Sequence, residues 1–160
     1  MSARSLPPAL GLAARLVVGG VLVYAGAIKA AGPAEEFALV IGAYQVVPQD
    51  MSLTLATFLP WAEMLIGWAL LLGFRLRAAG IASCALFGGF LFALATVQLR
   101  GIQLPNCGCF GDAVHFTPAQ AFLVDAGLSA LAYLAWRSAP SALSLDNWAQ
   151  GGYTGTHGKR

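Results

Sequence analysis

Asn106-Cys107-Gly108-Cys109-Phe110-Gly111-Asp112 gathers the most chemistry into the fewest residues of this chain. Two cysteines one glycine apart can close a disulfide only within a tight, strained ring, and the glycine relieves the backbone restriction that any other residue would impose there. Strained, exposed disulfides tend to be labile and so suited to exchange. A structural bridge normally closes a longer loop, where the loop-entropy gain is larger. The alternatives are a pair of unlinked loop thiols or half of a metal site, since closely spaced thiolates bind zinc or copper(I), with His115 nearby as a further ligand. Cys84 is set apart from the pair. It lies in the series Gly80, Cys84, Gly88, a small residue at every fourth position, which reads as a helix-packing face, and a thiol in apolar surroundings is inert.

Four ionisable residues fall inside or at the end of long apolar runs: Arg15, Lys29, Glu63 and Asp125. An uncompensated charge at mid-membrane costs at least roughly 3 kcal/mol, so each needs a partner or a function. By position along their runs Glu63 lies near mid-membrane and Arg15 somewhat to one side, which allows an Arg15–Glu63 ion pair. Such a pair could fix helix register, move protons or border a quinone site. Pro60, three residues before Glu63, removes a backbone hydrogen bond and is expected to kink the helix beside the carboxylate. Asp125 could buffer a thiol proton beneath the cysteine loop or make a helix–helix hydrogen bond. Lys29 could favour the thiolate form of a neighbouring cysteine, or simply snorkel to the interface.

The elements that must hold these residues are set by composition. Of 160 residues 58% are hydrophobic and only 10% charged, where a soluble domain carries roughly 25% charged residues. A water-facing surface cannot be built from so few charges. Runs near 20 apolar residues match the length a helix needs to cross a bilayer core of roughly 30 Å. Four are present, at about residues 8–28, 52–73, 78–99 and 117–136. Prolines at residues 7 and 8 open the first, and Thr117-Pro118 opens the fourth as a cap followed by a first-turn proline. The third run lacks the polar face that a soluble bundle would require. A cleavable leader is the competing reading of the first run, from Arg4 and Ala25-Gly26-Ala27, but Arg15 interrupts it and three more spans follow. The expected fold is an all-α integral membrane protein, a four-transmembrane-helix bundle in a single domain over residues 1–137, with a tail at 138–160.

Lys and Arg in short connections mark the cytoplasmic side. Arg4, Arg75, Arg77, Arg137, Lys159 and Arg160 fall on one side, and Lys29 and Arg100 on the other, with Glu35, Glu36, Asp50 and Asp112. Both termini therefore read as cytoplasmic and the loop at residues 100–116 as external, where disulfides persist. In the first external connection Phe37, Val40, Ile41 and Tyr44 recur at helical spacing after Gly32-Pro33, as in a short amphipathic helix on the outer membrane surface.

Taken together, Arg15 with Tyr24-Ala-Gly26-Ala-Ile-Lys29, the segment from Phe37 to Tyr44 with Pro48, Leu59-Pro60-Trp-Ala-Glu63 and Asn106-Cys-Gly-Cys-Phe-Gly111 resemble the MauE family of membrane proteins, within the wider DoxX-like group. The resemblance covers the chain from about Arg15 to Trp136, and its specific element is Cys-Gly-Cys-Phe-Gly. It implies a four-helix bundle associated with thiol–disulfide chemistry in the bacterial periplasm, assisting the maturation of disulfide-containing proteins, often with a thioredoxin-like partner. Carried to this chain, it makes Cys107 and Cys109 the redox pair and Arg15, Lys29 and Glu63 supporting residues.

The function expected is thus a thiol–disulfide redox protein of the bacterial inner membrane, exchanging electrons through Cys107 and Cys109 with a periplasmic thioredoxin-like or client protein. Haem ligation, a flavin fingerprint and a nucleotide loop are not evident, so a second electron acceptor would be a quinone or another protein. A non-catalytic membrane scaffold and a copper- or zinc-handling protein are the alternatives. The few positive charges are explained by topology, which sets nucleic-acid binding aside.

Overall fold

Apolar sequence with well-placed prolines and glycines makes this a chain of long helices with abrupt ends. A computed structural model describes residues 8–102, 117–138 and 145–146. The helices are α1 (Pro8–Ala31), α2 (Ala34–Ala43), α3 (Gln49–Leu72), α4 (Leu76–Leu99) and α5 (Pro118–Arg137). All but α2 are long and apolar enough to cross a membrane. The described residues contain no strand, and the fold is a four-span helical membrane bundle with a short helix between the first two spans.

The span boundaries shift by a few residues from those read off hydropathy, and local chemistry explains each shift. Helix α1 continues through Lys29 to Ala31 because nothing stops it before Gly32-Pro33, and α3 starts at Gln49 because Pro48, extended at ψ 146°, caps it. Gly73, at φ 71°, ends α3 in a left-handed turn that returns the Gly73 and Phe74 N–H groups to the carbonyls of Leu70 and Ala69. Thr117 and Gln120 exchange side-chain-to-backbone hydrogen bonds and form a capping box ahead of α5. Helix α4 has no cap of its own. Arg75 before it is left-handed at φ 46°, and the Asp146 carboxylate accepts from the N–H groups of Arg75 and Leu76 at 2.8 Å each. Part of the tail therefore closes the turn between α3 and α4.

Helices α1 and α3 run antiparallel with their backbones in contact. A Cβ on Gly26 would sit 2.6 Å from the Pro60 carbonyl oxygen, and one on Gly67 would sit 2.8 Å from the Gly19 carbonyl oxygen. Small residues permit this approach, from which dispersion and short polar contacts gain most inside a membrane. Gly80 performs the same service between α4 and α5, against Trp136, and half-buried Cys84 packs against the main core. Gly88 does not extend that face as its spacing predicts: it is exposed, with nothing near its Cα that a side chain would strike. Helix α3 passes through Pro60 as one continuous helix.

Val18, Leu22, Leu70, Phe87, Leu128 and Ala132 form the core between the spans, and Tyr44, Leu94, Val97 and Ala121 form a second cluster at the end of the bundle where α2 lies. The outside is as apolar as the inside. Phe58, Trp61, Leu65, Trp68 and Leu72 make an exposed stripe along α3, with Leu65 71% and Phe58 67% accessible. Exposed apolar faces of that extent are tolerated in contact with lipid.

Gly26→Leu is expected to lower stability by about 1–3 kcal/mol, as overpacking does, whereas Gly20→Leu, which meets only open space, should stay within about 0.5 kcal/mol of the parent. Thermal unfolding of the purified protein in detergent reads both. Equal losses at the two positions would mean that the close approach of α1 and α3 is not what the glycine protects.

Candidate functional site

One turn beyond Gly26, α1 presents Lys29, and the close approach of the two backbones brings it to Glu63 of α3. The Lys29 Nζ donates to both Glu63 carboxylate oxygens at 2.7 Å. The two side chains are 2% and 0% accessible. Two short, charge-assisted bonds to one carboxylate are the geometry that a buried ion pair needs to offset its desolvation. Asp125 of α5, 3% accessible, lies near enough to feel the charges of both Lys29 and Glu63, and its Oδ2 has no hydrogen-bond partner among the described residues. The Lys29 ammonium also stands 5.8 Å from the Phe37 ring centre and 5.7 Å from that of Phe90. Both lie within cation–π range, where an electron-rich face compensates a desolvated cation. Each of the five helices thus contributes one residue to a single cluster, Lys29, Phe37, Glu63, Phe90 and Asp125, whose three charged members are buried and whose two rings are half-buried.

Beside the ammonium is a cavity of about 190 Å³, lined by Lys29, Phe37, Tyr44, Leu59, Phe90 and Leu94 among others. Its walls come from α2, α3, α4 and the connection at Val46 and Val47, with Lys29 reaching in from α1, and apart from Lys29 and the Tyr44 hydroxyl they are apolar. The stripe expected on the short helix faces this space: Phe37, Val40, Ile41 and Tyr44 all line it, while Glu35, Glu36 and Leu39 are exposed. Arg100 Nη1 donates to the Gln45 carbonyl at 3.1 Å and ties the end of α2 to the end of α4.

The structure corrects two expectations. Glu63 pairs with Lys29, not Arg15, because Arg15 lies fourteen residues earlier on α1, about 21 Å away along the helix axis. Arg15 is buried in the N-terminal half of that helix. Lys29, in turn, does not snorkel, since its whole side chain is withdrawn from the surface. Of the residues singled out from sequence, Lys29, Glu63 and Asp125 come together, Arg15 does not join them, and Cys107 and Cys109 lie outside the described residues. Their loop joins the end of α4 to the start of α5, at the end of the bundle that also carries α2 and the C-terminus of α1. Sequence reasoning missed Phe37 and Phe90 as neighbours of a cation and Asp146 as a cap. The pairing of Lys29 had a usable signal in Gly19 and Gly26, spaced seven apart on the face that leads to it.

The model of the family described as methylamine utilisation protein MauE matches residues 7–138. The chain belongs to the MauE family. Among similar proteins, the methylamine utilization protein MauE of Methylophilus methylotrophus is 37% identical over 103 residues, which cover 64% of this chain. That stretch spans 53% of the relative, about half its length. No solved structure matches the chain.

The ion pair carries its own test. Lys29→Met leaves Glu63 buried without its cation and is expected to cost about 3–5 kcal/mol, whereas Lys29→Met with Glu63→Leu should regain most of that loss. Denaturation of the single and double variants in detergent measures the coupling. A double variant less stable than either single one would show that the two residues act separately.

Proposed function

We propose that this protein is a thiol–disulfide redox protein of the bacterial inner membrane, with Cys107 and Cys109 as its exchanging pair on the periplasmic side. The observation that carries the reading is the Cys-Gly-Cys element, which in the sequence lies between α4 and α5; the start of α5 leads from it towards Asp125 and the Lys29–Glu63 pair in the middle of the bundle. The alternation of four spans supports the orientation. It puts Arg75 and Arg77 at the end where α1 begins and α5 finishes with Arg137, and that positively charged end is the one retained in the cytoplasm. Both termini then lie inside and the cysteine connection outside.

In the exchange, a thiolate of the pair attacks one sulfur of a partner disulfide. A new S–S bond forms to the partner as the partner's own S–S bond breaks, and the released partner thiolate takes up a proton. The second cysteine then attacks the mixed disulfide and frees the partner's other thiol. The Cys107–Cys109 disulfide remains, and two electrons have passed to the partner. The same steps reversed oxidise a partner dithiol. A strained two-cysteine ring suits this traffic because it is readily reopened. The partner is a periplasmic thioredoxin-like protein or a disulfide-containing client. Since the relative's name places that protein in methylamine utilization, a disulfide-containing protein of such a system is the first client to try.

With thiols trapped by a mass-tagging alkylator across a glutathione series, Cys107 and Cys109 are expected to titrate together, and Cys107→Ser or Cys109→Ser should abolish exchange while one of the two traps a mixed disulfide. Thiols that stay reduced throughout, or never reduce, would sink the redox reading. Metal binding lost in the double serine variant would favour thiolate metal handling, and partner binding retained without exchange would favour a scaffold.

Orientation is tested separately in a Cys84→Ser background. A membrane-impermeant maleimide supplied to the periplasmic face of reduced spheroplasts should label Cys107 and Cys109. Labelling only after the membrane is permeabilised would reverse the topology.

A further inference from the structure

The cavity beside Lys29 has three properties that together select a ligand. Its size, about 190 Å³, suits one substituted ring: an apolar cavity of about 150 Å³ accepts benzene. Its walls are apolar, with Phe37 and Phe90 placed to lie against a ring. Its charged group is the Lys29 ammonium, which has three N–H donors and, among the described residues, the Glu63 carboxylate as its hydrogen-bond partner through two of them. A ligand for this space is therefore a single ring of low polarity carrying an acceptor oxygen at its edge, and it must reach the site from the membrane. Gly89, on the lining, is exposed on the flank of α4, so the cavity opens at the side of the bundle.

We infer that this cavity binds the headgroup of a membrane quinone, with one ring carbonyl accepting from the Lys29 ammonium and the ring between Phe37 and Phe90. A lipid acyl chain would satisfy the apolar walls but offer no acceptor to the Lys29 ammonium. Glu63 holds Lys29 in place and so acts as a positioning residue. The inference deepens the thiol-exchange reading by placing the second electron acceptor, although binding stands on the cavity alone. The electron balance closes: as one S–S bond forms, the Cys107 and Cys109 thiols lose two electrons and two protons, and a quinone takes up both to become the quinol.

The test is binding of decylubiquinone to the full-length protein in quinone-free phosphatidylcholine nanodiscs, by titration calorimetry against empty discs. Gly89→Leu grows into open space at the cavity and leaves the ion pair untouched. It is expected to weaken binding at least about tenfold. Gly88→Leu, next to it but off the lining, should bind as the parent does, and so should the Cys107→Ser/Cys109→Ser variant, which separates this inference from the thiol reading. Should Gly89→Leu not yield folded protein, Ala93→Leu from the same lining is expected to show the same loss. Binding equal in the parent and both lining variants, or displacement of the quinone by palmitate at equal concentration, would overturn the inference, the second result assigning the cavity to acyl chains.

Discussion

The bond between Lys29 and Glu63 governs how the rest of the bundle can be arranged. Two opposite charges, both withdrawn from solvent, are stable in an apolar interior only if they meet in good geometry, and several kcal/mol per ion are at stake if they do not. The Lys29 side chain leaves α1 two residues before that helix ends, and Glu63 sits just past the midpoint of α3. Bringing them to 2.7 Å requires α1 and α3 to pack closely and in one register. The glycines at 19, 26 and 67 make that approach possible, because each removes a Cβ that would otherwise collide with the opposite backbone or side chains. Charge and glycine therefore enforce the same register by different means. A slip of one turn would both strand a carboxylate and wedge the helices apart.

The other helices arrange themselves around this pair. Helix α2 is too short to span, and none of its residues is fully buried, yet it supplies the Phe37 ring beside the ammonium and the inner stripe that bounds the cavity. Helix α4 brings Phe90 and α5 brings Asp125. At the opposite end Asp146 supplies the acceptor that Arg75 cannot, holding the α3–α4 turn while the ion pair holds α1 to α3. The bundle is thus tied by polar contacts at two levels, with an apolar core between them.

What could be read from the sequence follows from the range of the interactions involved. The four spans, the amphipathic stripe of α2 and the caps at Thr117 and Pro118 depend on residues within a turn or two of one another, so composition and periodicity reveal them. Family membership was legible in ordered short motifs, and Lys29, Glu63 and Asp125 were legible because a charge in an apolar run is conspicuous. The identity of Glu63's partner was not. Arg15 and Lys29 are both cations on α1, and choosing between them requires the depth of Glu63 relative to each, a difference of nearly four helical turns that hydropathy does not resolve. Phe37 and Phe90 were invisible as cation neighbours because an aromatic residue in an apolar helix has no distinguishing mark. Asp146 lay in a tail rich in small and polar residues, where a cap for a helix seventy residues earlier leaves no local pattern.

Stability alone does not account for the cluster. Replacing a buried ion pair with apolar side chains of similar volume is often neutral or stabilising, so packing gives no reason to keep one. Here there is more to explain than the pair: a second carboxylate, Asp125, is buried beside it with an oxygen that has no hydrogen-bond partner among the described residues, and such groups are rare enough in folded proteins to need a reason. The cluster carries two acidic groups and one basic group, faces a cavity open at the side of the bundle, and lies toward the end where the Cys-Gly-Cys connection joins α4 to α5. An arrangement kept only to fix helix register would need Lys29, Glu63 and the glycines and nothing further. The space beside the ammonium is what a structural role leaves over, and it is accounted for if the cluster serves a ligand as well as the fold.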